Sequence, residues 1–209
     1  MKIIRISIVL IIFQSLLGCG GGSDSASGAG QGATNSASSL SLERLIVVIG
    51  DSIGTGFGAS VAYPDLLQSL TGIPVVNVSK PGSNAEFGAS RAADLIAQHR
   101  PMYLVMLLGT NNTGGGGGGV SGAVNSLQFA ANVANEAGVV PIIGTIPPIS
   151  RDAGENANAS AISAGIRGIS GARIAPINRS VSISDIEDGK HPNNRGQEII
   201  AQLFAQQIF

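Results

Sequence analysis

The chain has 209 residues, enough for one domain, with a formal net charge of −1 and only 12% charged residues. No basic patch stands out, which argues against a nucleic-acid partner. Cys19 is the only cysteine, and His99 and His191 are the only histidines. A disulfide framework and a cysteine-based metal cluster are thereby excluded, and imidazole chemistry is confined to two positions.

Residues 1–18 read as a secretory signal. Lys2 and Arg5 open it, and an apolar stretch from Ile6 to Phe13 follows, too short to span a bilayer as a mature helix. Its end, Leu16-Leu17-Gly18-Cys19, resembles the bacterial lipobox. That resemblance implies cleavage before Cys19, lipid attachment at Cys19 and a place in the bacterial cell envelope, periplasm-facing or on the outer membrane. Residues 19–40 form a tether. Gly, Ser and Ala fill sixteen of the twenty positions from 20 to 39, and Asp24 is the one charge. Such a composition cannot bury enough apolar area to offset its ordering entropy. A flexible chain of this length has an end-to-end distance of roughly 25 Å.

From about residue 41 to 209 the pattern alternates strand and helix. The β-branched run Arg44–Ile49 reads as a buried parallel strand. A helix over Tyr63–Leu70, a strand over Pro74–Val78 and a helix over Ala85–His99, stopped by Pro101, follow. Tyr103–Leu108 is a third strand, and Val120–Ala137 carries an amphipathic stripe. Val139–Thr145 is a fourth strand, Ile146–Ser160 a loop and Ala172–Ile177 a fifth strand. A last helix starts near Asn194, where Asn194 and Gln197 have capping-box spacing. Five strands with intervening helices predict a three-layer α/β/α fold around a parallel sheet. Chemistry in such sheets gathers beyond the strand carboxyl ends.

Four polar, glycine-containing turns fall at those ends. They are Gly50-Asp51-Ser52-Ile53, Lys80-Pro81-Gly82-Ser83-Asn84, Gly109-Thr110-Asn111-Asn112 and Asp188-Gly189-Lys190-His191-Pro192-Asn193. A serine hydroxyl is a weak nucleophile that needs an adjacent base, which histidine can be near neutrality. A carboxylate fixes the imidazole tautomer, and Asp188 stands three residues from His191. A tetrahedral intermediate needs donors for its oxyanion, which the Gly82 backbone and the Asn111 amide can supply. Asp185 is the remoter alternative to Asp188, and Asp51 and Ser52 also suit a plain turn or helix cap. His99, at a helix end, suits the helix dipole. The glycine run Gly114–Gly119 lacks the Lys-Ser/Thr ending of a phosphate loop.

Taken in chain order, Ser52, Gly82, Asn111 and His191 resemble the four name-giving residues of the SGNH, or GDSL, hydrolases. The likeness covers the whole domain from 41 to 209. The stretch Asn77–Gly82 followed by Gly88 and Arg91, and the ending Asp188–Asn193, are most similar to the periplasmic thioesterase, lysophospholipase and arylesterase branch. The resemblance implies a flavodoxin-like α/β/α sandwich and a serine esterase working through an acyl-enzyme. Ser52, Asp188 and His191 would be catalytic, Ser52, Gly82 and Asn111 would form the oxyanion hole, and neither cofactor nor metal is expected. Gly50-Asp51-Ser52-Ile53-Gly54 also fits the glycine spacing of the α/β-hydrolase nucleophile elbow. The early position of Ser52, and an Asp–His pair sharing one loop, argue against that fold.

Two positions depart from the family pattern. Asn112 stands where an aspartate is usual, which implies a looser oxyanion loop, and Gly114–Gly119 imply a mobile loop beside the site. The expected substrates are short to medium acyl esters, with thioesters or lysophospholipids as variants. The acyl pocket is expected from Thr110–Gly119 and Ile146–Ser160. The alternatives are an esterase for O-acetyl groups on polysaccharide and a non-catalytic envelope-binding lipoprotein, against which the intact Ser52–His191–Asp188 set speaks. The expected partners are a small acyl ester and, through lipidated Cys19, a membrane.

Overall fold

The computed structural model describes residues 42–209. The signal segment, Cys19 and the tether lie outside the described residues. The elements run β1 (Glu43–Gly50), α1 (Tyr63–Thr71), β2 (Val75–Asn77), α2 (Ala85–Ser90), α3 (Ala92–His99), β3 (Pro101–Leu107), α4 (Gly119–Glu136), β4 (Val140–Gly144), α5 (Ala153–Ile166), β5 (Arg173–Ala175), α6 (Ile177–Ser180) and α7 (Asn194–Gln206). Among the described residues the five strands form one sheet in the order β2-β1-β3-β4-β5, with every pair parallel. This is the flavodoxin-like order, with its reversal between β1 and β3.

Alternation along the strands divides the core in two. Val47, Ile49, Leu104, Met106 and Ile143 pack under α2, α3, α4 and α5. Ile46, Val48, Val105, Leu107 and Ile142 pack on the other face against Tyr63 and Leu67 of α1 and Ile200 and Phe204 of α7. Both faces are covered, which is why β1 and β3 read as continuous apolar runs rather than alternating ones. No helix among the described residues is long and apolar enough to cross a membrane.

Three details correct the sequence reading. Ala85–His99 is two helices that meet at Arg91, whose guanidinium donates to the Val78 carbonyl at 3.0 Å and anchors the junction on the β2 loop. Part of Ile146–Ser160, read as a loop, is helix α5. Asp152 caps it by accepting from the Glu155 N–H at 2.7 Å, while Ile146 and Ile149 are buried in the core. The cap of α7 is Asn193, which accepts from the Gly196 N–H, rather than Asn194.

Asn194 and Gln197 do other work. Asn194 Oδ1 accepts from the N–H and hydroxyl of Ser60 at 2.8 and 2.9 Å. Gln197 is fully buried; its Oε1 accepts from the Tyr63 N–H at 2.9 Å and its Nε2 donates to the Ile53 carbonyl at 3.1 Å. The segment from Asp51 to Ala62, between β1 and α1, is thus tied at Ile53, Ser60 and Tyr63 to the start of α7. Gln197→Ala would leave the Tyr63 N–H and the Ile53 carbonyl unpaired. It is expected to lower the free energy of unfolding by about 2 kcal/mol in urea titration. An unchanged midpoint and slope would show that the clamp contributes nothing.

Candidate active site

The carboxyl ends of β1 and β3, the β2 loop and the turn before α7 bring the four blocks together. Ser52 Oγ lies 2.9 Å from His191 Nε2, and His191 Nδ1 lies 2.7 Å from Asp188 Oδ2. Burial alone would raise the Asp188 pKa. The N–H groups of His191 and Lys190, at 2.8 and 3.0 Å from Oδ1, and the His191 ring outweigh it and hold the carboxyl down at about 2. An ionised carboxylate only accepts, so Nδ1 carries the ring proton and Nε2 presents its lone pair to the Ser52 hydroxyl. That arrangement can accept a proton from Ser52 and return it to a leaving group.

Close approach on the far side depends on Gly58, whose φ is +87° and whose absent Cβ would lie 3.1 Å from His191 Cβ. Phe57, 58% exposed, lays its ring against the imidazole with centroids 4.5 Å apart. Gly82 has φ +78°, and among the described residues neither its N–H nor that of Ser52 has an acceptor within the protein. Asn111 Nδ2 donates to the Ser83 carbonyl at 2.9 Å, which joins the β3 turn to the β2 loop. An open cleft of about 230 Å³ runs along Lys80, Pro81, Gly82, Ser83, Asn84 and Phe87.

The nucleophile-elbow spacing at Gly50–Gly54 is met without its geometry. Turns and bends, not a helix, follow Ser52. Arg100 is the only non-glycine among the described residues with positive φ, so Ser52 is not in that strained conformation.

Asn112 does not loosen its loop. It is fully buried, accepts from the Ala85 N–H at 3.0 Å, and turns Nδ2 toward Glu86 Oε2 at 2.9 Å and the Gly117 carbonyl at 2.8 Å. An aspartate there would set its carboxylate against that of Glu86 and could not donate to the carbonyl, so Asn112 matches Glu86. Gly117 sits at φ +55°, a conformation that favours glycine, and a Cβ there would push the Glu86 and Asn84 side-chain ends away from Asn112. Neither Thr110–Gly119 nor Ile146–Ser160, the segments expected to form the acyl pocket, is among the residues that line this cleft, and Ile146 and Ile149 go to the core.

The other candidates have structural places. Asp185 accepts from the Ser182 N–H and hydroxyl in a capping box, and this holds its pKa down. His99 is the last residue of α3. Among the described residues no three His, Cys, Asp or Glu side chains cluster as metal ligands. Residues 48–199 match the model of the GDSL-like lipase/acylhydrolase family. The chain belongs to that family. It is 37% identical over 73 residues to the thioesterase 1/protease 1/lysophospholipase L1 of Escherichia coli K12, a match covering 32% of this chain and 34% of that one. The chain thus spans about a third of the length of this curated relative.

The fold is also similar to a catalytic mutant of an acetylxylan esterase from Geobacillus stearothermophilus. The TM-score is 0.69 at 14% identity, covering 81% of this chain and 96% of the other. A lipase/acylhydrolase from Enterococcus faecalis gives a TM-score of 0.66 at 21% identity, with 79% and 95% covered.

The sequence reading gave Asp51 only a turn or cap role. Its Oδ1 does accept from the Ile53 N–H at 2.9 Å, as an Asx turn requires, but the side chain is fully buried. Its Oδ2 has no hydrogen-bond partner among the described residues; Thr110 is near enough to favour the anion but outside bonding geometry. Burial raises the pKa to about 6, against the opposing pull of the Ile53 N–H, Lys190 and His191. Below about pH 4 both folded and unfolded states hold this proton. Between about 4 and 6 the unfolded chain releases it first, so the folded state loses stability as pH rises, by about 3 kcal/mol once past pH 6. Asp51→Asn keeps an acceptor for Ile53 and removes the ionisation. Its unfolding free energy relative to wild type is expected to rise across that window and then level, and a flat difference would remove Asp51 as the cause.

Proposed function

We propose that this chain is a serine esterase that hydrolyses short to medium acyl esters through an acyl-enzyme at Ser52. His191 is the base that takes the Ser52 proton and later protonates the leaving oxygen, and Asp188 holds the imidazole tautomer. The Ser52 and Gly82 N–H groups and the Asn111 amide stabilise the oxyanion. The observation that carries this reading is the chain of contacts Ser52–His191–Asp188 at 2.9 and 2.7 Å. Membership of the GDSL-like family supports it.

The cleft supports the chain-length preference. Of its lining residues only Pro81 and Phe87 offer sizeable apolar surface, and Lys80 sits over the Phe87 ring at 5.0 Å. Each methylene of an acyl chain gains about 0.8 kcal/mol only where apolar surface continues to cover it. Two measurements test the reading. Ser52→Ala is expected to lose roughly 10³-fold or more in ester turnover while keeping its circular dichroism, and near-normal turnover would remove Ser52 from its role. Across p-nitrophenyl esters from acetyl to palmitoyl, kcat/KM is expected to peak at short to medium chains. A steady rise to palmitoyl would assign long lipid acyl chains instead, and activity confined to acetyl would assign O-acetyl groups on polysaccharide.

The same proposal places the enzyme at the bacterial cell envelope, held by a lipid on Cys19. The support is the sequence Leu16-Leu17-Gly18-Cys19 and the Gly/Ser/Ala-rich segment after it. Cys19→Ser is expected to move the protein from the membrane fraction to the soluble one, or to block its processing, without altering turnover. A cysteine variant that stays with membranes in high salt would show a different attachment.

A further inference from the structure

The Asn111 amide is held at both ends. Lys190 Nζ donates to its Oδ1 at 3.1 Å, and its Nδ2 donates to the Ser83 carbonyl at 2.9 Å. An ammonium has only donors and a carbonyl oxygen only accepts. A flipped amide would set NH₂ against ammonium and oxygen against oxygen, so these two partners fix which end of Asn111 is which. Ser83 takes one of the two Nδ2 hydrogens, which leaves one for the reacting centre.

Lys190 stands in an expensive place. It is 9% exposed, and a buried ammonium costs stability that an apolar side chain of the same length would not. Burial is the main cause lowering its pKa, and Arg151 adds to it, while Glu155, Asp51 and Asp188 draw the other way. The ammonium pulls on the Asn111 carbonyl, which polarises the amide and makes the remaining N–H a stronger donor. Lys190 also precedes His191, and its own N–H supports Asp188.

We propose that Lys190 is a positioning residue of the oxyanion hole, acting through Asn111 by fixing and polarising the amide that faces the developing oxyanion. This rests on the esterase reading above. One turn, Asp188–His191, then supplies the base, its orienting carboxylate and the alignment of an oxyanion donor drawn from a different strand.

A double-mutant cycle tests it. kcat and KM are measured for wild type, Lys190→Met, Asn111→Ala and the double variant, with the melting temperature of each. Lys190→Met is expected to lower kcat about 10- to 100-fold with KM nearly unchanged, because the lost interaction forms in the transition state. Asn111→Ala is expected to lower kcat about 10²- to 10³-fold. In the Asn111→Ala background the lysine change is expected to cost less than about twofold, because its route of action is gone. Independent, multiplying losses, a loss confined to KM, or wild-type kcat in Lys190→Met would overturn the proposal. If Lys190→Met does not fold, Lys190→Leu carries the same cycle with the same readings. Absence of turnover in wild type would sink the esterase reading itself, whereas normal wild-type turnover with independent losses would sink only the role of Lys190.

Discussion

Ser52 and His191 are 139 residues apart and meet through one hydrogen bond of 2.9 Å. A bond of that kind contributes about 1 kcal/mol net, far too little to order two loops. The constraint that brings them together is the docking of the Asp51–Ala62 segment on the start of α7. Gln197 grips it at Ile53 and Tyr63, and Asn194 grips it at Ser60. Gly58 lets the same segment close over His191. The sheet delivers Ser52 to the right edge, and α7 delivers the turn that carries Asp188 and His191. The polar side chains at the α7 terminus set the spacing between them.

The floor of the site is polar as well as apolar. Asp51 and Lys190 are both buried, with opposite charge when ionised, and each lowers the cost of the other without making a direct bond. The hydroxyls of Tyr63 and Thr110 and Asp51 Oδ2 are buried without hydrogen-bond partners among the described residues. Unsatisfied groups of this kind each cost on the order of 1–3 kcal/mol. Asp51 and Thr110 stand just beyond β1 and β3, whereas Tyr63 belongs to the apolar layer beside α7, where its ring stacks on Phe204.

Legibility from sequence followed the kind of signal each feature leaves. The β-branched runs of β1, β3 and β4 show because strands covered on both faces are apolar throughout. Ser52, Gly82, Asn111, Asp188 and His191 could be named because they stand in short polar blocks after β1, β2 and β3 and before α7; the structure joins Ser52, His191 and Asp188 by hydrogen bonds and ties Asn111 to Lys190 and Ser83. Helix α5 was hidden because Ala-Gly-Glu-Asn-Ala-Asn-Ala-Ser buries mainly small residues and has no strong apolar stripe; the Asp152–Glu155 cap was its available sign. Asn112 misled because its partner, Glu86, lies 26 residues away and only the fold pairs them. Lys190 was visible within its block, but nothing local distinguishes a lysine bonded to Asn111 from one in solvent. The offset of one residue at the α7 cap arose because Asn193 and Asn194 offer the same side chain, and only the tertiary contact with Ser60 separates them.

The glycine run Gly114–Gly119 has the look of a spacer, yet it behaves as a ruler. Asn112 grips the Gly117 carbonyl from the near end, and α4 begins at Gly119 with Ala123, Leu127, Ala130 and Ala134 already committed to the core. A helix turns about 100° for each residue, so α4 cannot slide along the run without rotating its buried face outward. The run therefore resists a change of length in either direction. The Gly115 N–H donates to the Asn112 carbonyl at 3.0 Å and Asn158 donates to the Thr113 carbonyl at 2.7 Å, so an added or a missing glycine must break one of these bonds, break the Asn112 grip or shift the phase of α4. Length, more than composition, is what this low-complexity stretch encodes.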